Sequence, residues 1–519
     1  MNGGDRQNMR YTFNLVDRQW IPCVTTYGRR VELGLRELFR RVHELREIRG
    51  DSPLETISLY RLVLAVLHRV YGPRTLGEWS SLWNAGRGGW DLERLDDYLN
   101  RWYDRFDIFD NDHPFYQMVG FSANRESPVS RLFQELASGN NPTLFDHSYD
   151  HRVEPRHASA AARALVAHQT FALGGGRSPT GYTRDAPLAS SVAVLLTGDN
   201  LFETLMFNLV RYDPLNSEPI PAFDADRPAW ERNDPILPAE TRPVLGYLDL
   251  LTWQSRAIRF IPEGEPTDPW VSRLYYGQGE VLDLENTIDP QVPLVRCNKD
   301  LSRLRLFPER AVWRDSTVLI DINSSDTQPA KASSWVATLR RGRILDRTHP
   351  IRLSAYGMAT GQAKVELWRE EHIPLSLDYL EDQQLLARLR AELAKAESVG
   401  ESLDNALFVL AKFIVCPAAD EPGVKYDRTV VRRVADQFNA VSHYWASLEV
   451  PFYSLALDLV GDMEEAILEW NASIKRLAWE ALGIELDGVE RDSRTLKASV
   501  NARRVLGAGL ARVLGREGS

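Results

Sequence analysis

A chain of 519 residues is too long for one simple core, and 44% hydrophobic with 26% charged residues is the make-up of a folded protein of two or more domains. Three widely separated cysteines, Cys23, Cys297 and Cys416, with no CxxC pair, support neither a thiol-ligated zinc site nor a disulfide framework, and they suit a reducing cytoplasm. A net charge of −10 argues against a protein that holds nucleic acid unaided, and neither a signal peptide nor a membrane span is expected.

In chain order, Phe13 to Val24 reads as an extended segment that ends at Trp20-Ile21-Pro22, where proline stops the run. A helix is expected from Pro53 to Tyr71. Ser52 caps it, Pro53 suits its first position, Glu55 completes a capping box and Gly72 ends it. It is apolar on most faces and should be buried. His157 to Phe171 reads as a second helix, running into Gly174-Gly175-Gly176. A Pro-rich connection between Tyr212 and Tyr247 is long for a loop, hence functional or a lid over the surface. Leu248 to Ile261 is expected to be strand, or a strand entering a turn, with Trp253 buried.

From Leu375 the helical period dominates. Leu403, Leu407, Leu410 and Ile414 share one stripe. Val430, Val434, Val441 and Trp445 form another, and Met463, Ile467, Trp470, Ile474 and Leu477 a third. The expected fold class is α+β: a large, irregular mixed α/β N-terminal domain over residues 1–370, then a C-terminal four-helix bundle over 371–519.

Catalytic signatures are missing: no Walker A sequence, no GxSxG elbow, no HExxH and no dinucleotide fingerprint. One cluster bears on metal chemistry. Asp146, His147, Asp150 and His151, with His157 nearby, offer a metal-dependent nuclease as the alternative function. The flanking Pro142 and Pro155 make this segment a loop, however, and a free loop does not preorganise four ligands. A polar surface loop is the preferred reading, with no metal, cofactor or catalytic residue. The glycine run has better credentials, because backbone without Cβ atoms can approach a phosphate or groove wall and donate its N–H groups there, with Arg177 adding charge. Gly361-Gln362 places a flat amide in a turn, suited to base edges or a distorted base step. Cations gather in two stretches. Val295–Arg347 holds eleven Lys/Arg against six Asp/Glu, and Arg491–Ser519 seven against two. Such runs are more often solvated faces than binding surfaces.

Taken in order, these features resemble a specific family. The residues that carry the likeness are Asp17-Arg18-Gln19-Trp20-Ile21-Pro22, His113-Pro114-Phe115-Tyr116-Gln117, the Gly174–Gly176 loop and Leu251-Thr252-Trp253-Gln254. Trp313-Arg314-Asp315, Gly361-Gln362, His443-Tyr444-Trp445 and Pro451-Phe452 complete the set. The chain resembles the large subunit of the type I-E Cascade CRISPR surveillance complex, the CasA family, over residues 10–515. That resemblance implies a non-catalytic, cytoplasmic subunit of an antiviral complex. Its partners would be the other Cascade subunits, the guide RNA, double-stranded target DNA and a recruited helicase-nuclease, with no membrane. It would recognise the protospacer-adjacent motif from the minor groove and promote R-loop formation. By the same resemblance, Gly174, Gly175 and Gly176 match the family's glycine loop. Gln362, with Gly361 beside it, matches a strand-separating wedge, and Phe145, Asp146 and His147 match the loop that anchors the guide-RNA handle. Some relatives also place a lysine in the groove. This chain has no lysine between Ala257 and Asn298, which leaves Gln278 or Arg273 as the substitutes to examine.

Overall fold

The computed structural model describes residues 10–86, 90–133, 154–211, 225–234, 236–283, 289–346, 349–361, 364–374, 376–488 and 493–515. The chain divides into two units, Met1–Val312 with Val318–His372, and Trp313–Thr317 with Ile373–Ser519. The architecture is mixed α and β, with a helical C-terminal region. Among the described residues no helix is long and apolar enough to cross a membrane.

In the first unit, β1 (Ile21–Thr25) lies between β2 (Arg30–Leu33) and β3 (Leu45–Ile48). The extended segment expected to end at Trp20-Ile21-Pro22 instead begins at Ile21. Residues before Trp20 turn, because Asn14 accepts the Val16 N–H on its side chain and the Arg18 N–H on its carbonyl, both at 2.9 Å. Pro22 is tolerated inside a central strand because the ladder to β3 starts only at Cys23, while its carbonyl still accepts the Arg49 N–H at 2.9 Å.

The helix α1 (Pro53–Tyr71) has its expected ends. Ser52 Oγ accepts the Glu55 N–H at 3.2 Å, and Gly72 follows the last turn. Glu55 reaches back and accepts the Asp51 N–H at 3.3 Å. Nearly every residue of α1 is buried, and α2 (Ala158–Phe171) packs beside it. One charge sits inside this core: Arg61 spans both oxygens of Asp289 at 3.0 and 2.9 Å and reaches Gln291 Oε1 at 2.8 Å. Burial alone would raise the Asp289 pKa, but the guanidinium and its hydrogen bonds bring it below the ordinary carboxylate value.

After α2 come a minimal hairpin, β4 (Arg177–Ser178) with β5 (Gly181–Tyr182), and the strand β6 (Ala193–Thr197). The described part of the Pro-rich connection is packed down. Glu231 binds Arg69 at 2.8 and 2.7 Å, and Trp230 is buried against Phe106 and Phe115. The strand expected over 248–261 is helical in its first part, α3 (Tyr247–Leu251). Asp226, more than twenty residues upstream, accepts the N–H groups of Leu248 and Asp249 at 3.0 and 2.9 Å. The cap is supplied by tertiary contact, so no local signal announces it. Trp253 is buried as expected. β7 (Arg256–Glu265) and β8 (Asp268–Gln278) then form a long antiparallel hairpin with a bulge at Ile261/Pro262. β9 (Arg352–Gly361) lies between β6 and β10 (Lys364–Ile373).

The second unit holds α4 (Gln383–Val415), α5 (Arg428–Ala435), α6 (Ala440–Asp458), α7 (Met463–Gly488) and α8 (Ser493–Leu514). α4 packs along α8, and α6 along α7. Leu403, Leu407 and Leu410 are buried, as are Trp470, Ile474 and Leu477. Val430 and Met463 are exposed instead, and Val431 takes the buried place. The stripe drawn from Val430 to Trp445 crosses the break between α5 and α6, where helical phase is lost. Three of the motif segments meet in this unit: Trp313 stacks on Phe452 at 4.7 Å, and Arg314, paired with Glu397 at 2.7 Å, lies 3.5 Å over the Trp445 ring.

Candidate nucleic-acid interface

The three glycines that follow α2 are not equivalent. A Cβ on Gly174 would sit 2.8 Å from the Thr183 carbonyl oxygen and 2.9 Å from backbone atoms of Arg184 and Asp185, so the fold itself forbids a side chain there. Gly175 holds φ at +102°, a conformation that costs other residues strain. Gly176 has neither constraint. A Cβ would meet only Thr183 Oγ1, at 3.6 Å, and the residue is exposed.

The N–H groups are already engaged. Gly174 donates to Asp185 Oδ1 at 2.8 Å, Gly175 to the Thr183 carbonyl at 3.1 Å, and Gly176 to Thr183 Oγ1 at 3.0 Å. The expectation that these amides serve an outside oxygen is therefore corrected, since the hairpin uses all three to close its own neck. What the loop offers outward is bare Cα surface.

Two buried side chains hold that neck. Arg256 donates to the carbonyls of Leu173 and Arg184 at 3.0 and 2.8 Å, and to the Tyr276 hydroxyl at 2.9 Å. Gln278 Oε1 accepts the Arg184 N–H at 2.7 Å, and its own backbone N–H donates to Ser178 Oγ at 3.0 Å. Gln278 is 1% exposed, so it cannot replace a groove-facing lysine. Arg273 is exposed but is held by Glu126 at 3.0 Å. Sequence reading missed Arg256, Thr183, Asp185 and the structural role of Gln278. Only the alternation of residues after the glycines, in which Thr183 separates Tyr182 from Arg184, carried a local hint of this hairpin.

Of the other expected site residues, Gly361 ends β9, with the Glu366 carboxylate lying against its Cα. Gln362 lies outside the described residues. So do Phe145, Asp146 and His147, and with them Asp150 and His151 of the nuclease alternative. His157 is described and is occupied: its ring accepts the Ser159 N–H at 3.2 Å and contacts Asp268 at 3.1 Å. Among the described residues no group of His, Cys, Asp or Glu is arranged to hold a metal. The basic stretch 295–347 is largely turned to structural use. Arg296 binds Asp326, Arg303 donates to the Pro187 carbonyl, Arg314 pairs with Glu397 and Arg340 is buried. Lys299, Arg305, Arg341 and Arg343 stand exposed. The motif residue Gln117 likewise serves the fold, donating to the Ile108 carbonyl at 2.6 Å and accepting the Phe260 N–H at 2.8 Å.

Comparison with known proteins places these features in a family. The family model described as CRISPR-associated protein Cse1 matches residues 14–481. A CRISPR-associated protein CasA/Cse1 of Thermus thermophilus is 34% identical over 524 residues, covering 98% of each chain. The solved structure of Thermus thermophilus CasA (Cse1) superposes with a TM-score of 0.79 at 29% identity, over 97% of this chain and 100% of that one. A chain in a structure described as a CRISPR RNA-guided surveillance complex shares the fold, with a TM-score of 0.76 at 20% identity over 96% of this chain and 100% of its own. With a family model spanning most of its length and a relative one-third identical from end to end, the chain belongs to the CRISPR-associated protein Cse1 family.

Proposed function

We propose that the chain is a non-catalytic large subunit of an RNA-guided CRISPR surveillance complex of the type I-E Cascade kind, working in the cytoplasm. In this role it inspects the protospacer-adjacent motif of double-stranded DNA, promotes strand opening and helps recruit a helicase-nuclease. Family membership supports the complex, and the glycine hairpin supports the DNA contact. The observation that carries the second part is Gly176, an exposed glycine that neither sterics nor backbone conformation requires. A glycine that the fold does not need is one that close approach of another molecule would need.

The chemistry is consistent with a reader of groove shape. The minor groove distinguishes little beyond A·T from G·C, so near contact by backbone, with few side chains, suffices there. Target identity would come from pairing with the guide, as in RNA-guided systems generally. Gln362 would act as the wedge and Phe145–His147 as the anchor on the guide-RNA handle. The net charge of −10 is acceptable because other subunits and the guide RNA would share the task of holding nucleic acid. The test is a gel shift of the assembled guide-RNA complex, with and without this subunit, on duplexes that differ only beside the target. The subunit should confer dependence on the flanking bases, and identical shifts with and without it would overturn the proposal.

A further inference from the structure

Beyond the glycines, the same hairpin presents three side chains that the fold does not use. Arg177 and Tyr182 are partners in the β4–β5 register, so their side chains lie on one face. Arg184, two residues after Tyr182 and just past the end of β5, is exposed like it, while Thr183 between them is buried and closes the neck. Tyr182 is 68% exposed, and both arginines are exposed. Among the described residues no ion pair or hydrogen bond engages either guanidinium, and no ring or cation contacts the Tyr182 ring. Their mounting is nonetheless firm, because the Arg184 backbone is clamped on one side by Gln278 and on the other by Arg256. Residues 172–184 contain no acidic side chain. The nearest in sequence, Asp185, is occupied with the Gly174 N–H at 2.8 Å and Ser190 Oγ at 3.5 Å. A positive, aromatic ridge on a rigid base thus stands beside Gly176 in a chain of net charge −10.

We propose that Arg177, Tyr182 and Arg184 form a backbone grip for duplex DNA. The two guanidiniums would bind phosphates of the strand bordering the groove that Gly176 approaches, and the tyrosine ring would lie against the sugar between them. Arginine suits this role through its fork of donors, and phosphate contacts of this sort fix register without reading sequence. The inference rests on the DNA-contact reading above and adds to it the residues that supply affinity, as distinct from recognition.

The test uses the complete guide-RNA complex and measures the binding constant for a flanked target duplex across a salt series. Arg177→Ala and Arg184→Ala should each weaken binding about fivefold near 0.15 M salt, and each should reduce the slope of log K against log salt by about 0.9. Tyr182→Ala should weaken binding and leave that slope unchanged, since it removes no charge. Gly176→Val serves as the independent probe of the underlying reading and should abolish dependence on the flanking bases. If Gly176→Val has that effect while all three ridge variants keep wild-type affinity and slope, the grip is refuted and the DNA-contact reading stands. If Gly176→Val and the ridge variants are all silent, both fall. Ridge variants that bind DNA normally yet lose a protein partner would also overturn the proposal, marking the ridge as a protein-docking surface.

Discussion

Arg256 and Gln278 face each other across the β7–β8 ladder, and both side chains end on the backbone of Arg184 at the neck of the glycine hairpin. One donates to its carbonyl and the other accepts its N–H, so a single cross-strand pair fixes a loop about eighty residues upstream. Gln278→Leu keeps the size of the side chain and removes the acceptor. The Arg184 N–H is then left without its partner, at a cost of about 1–3 kcal/mol, felt mostly as opening of the hairpin. Hydrogen exchange at the Gly175, Gly176 and Thr183 amides should speed up in the variant while α1 remains protected. Unchanged exchange at those three amides would show that the clamp is dispensable.

Gly174 and Gly176, two residues apart, should respond to alanine in opposite ways. Gly174→Ala drives a Cβ against backbone atoms at 2.8–2.9 Å, which no side-chain rotation relieves, and should cost about 1–3 kcal/mol of stability. Gly176→Ala should melt within a degree or two of wild type but weaken flank-dependent duplex binding in the assembled complex. Thermal melting and a binding titration on the two variants separate the cases. A Gly176→Ala complex that binds like wild type would remove the reason given for that glycine.

Local signals were enough for some of this structure. Ser52, Pro53, Glu55 and Gly72 delimit α1 because caps act within one turn, and the all-round apolar pattern of α1 announces its burial. What escaped depends on residues far apart in the chain. α3 is capped by Asp226, which no window around Leu248 contains. Pro22 looked like a strand end because its neighbours in the sheet, and the side on which it lacks a bond, are set by β3. At the site, the glycine run was visible as a run. That its amides are already committed, and that only Gly176 lacks a structural reason, follows from Thr183, Asp185, Arg256 and Gln278, which become neighbours only on folding.

Two buried histidines give stability a pH dependence. Burial pushes the His68 imidazole down to about 4, and burial, with the charges of Arg256 and Arg131 adding to it, pushes His168 well below its ordinary value. Both are therefore neutral in the folded chain at pH values where they would take up a proton once unfolded. As pH falls below the ordinary value of 6.5 the unfolded state binds protons first, so stability declines from there down to about pH 4. For His68 alone the loss at pH 5 is about 2 kcal/mol. Urea midpoints read by tryptophan fluorescence at pH 7.5 and pH 5 should differ accordingly, and His68→Gln should shrink the difference. Equal midpoints at the two pH values would contradict the assignment.

The Arg61–Asp289 pair should behave as an ion pair that the core cannot lose by halves. Asp289→Asn leaves a guanidinium buried among α1 residues with one neutral acceptor in place of a carboxylate, and should cost about 3–5 kcal/mol. Arg61→Met with Asp289→Leu, which removes both charges, should recover part of that loss. Denaturant melts of the single and double variants make the comparison, and a double variant no better than Asp289→Asn would contradict it.

In the second unit, α8 approaches α4 through Gly509, where a Cβ would lie 2.5 Å from both Cβ and Oγ of Ser402. Ser402 is itself buried, and its hydroxyl is tied to the Ser398 carbonyl at 2.8 Å, so it cannot swing away without giving up that bond. Gly509→Ala gains helix propensity worth up to about 1 kcal/mol. Forcing two packed helices apart costs about 1–3 kcal/mol, and the steric cost should win. Ser402→Gly opens the space into which the new methyl would project. In that background Gly509→Ala should no longer destabilise, because the propensity gain is then unopposed. The four melting temperatures of this cycle give a coupling between the two positions that neither single variant reports. Additive effects would mean that the helices can separate at this point without loss, and that Gly509 does not set their approach.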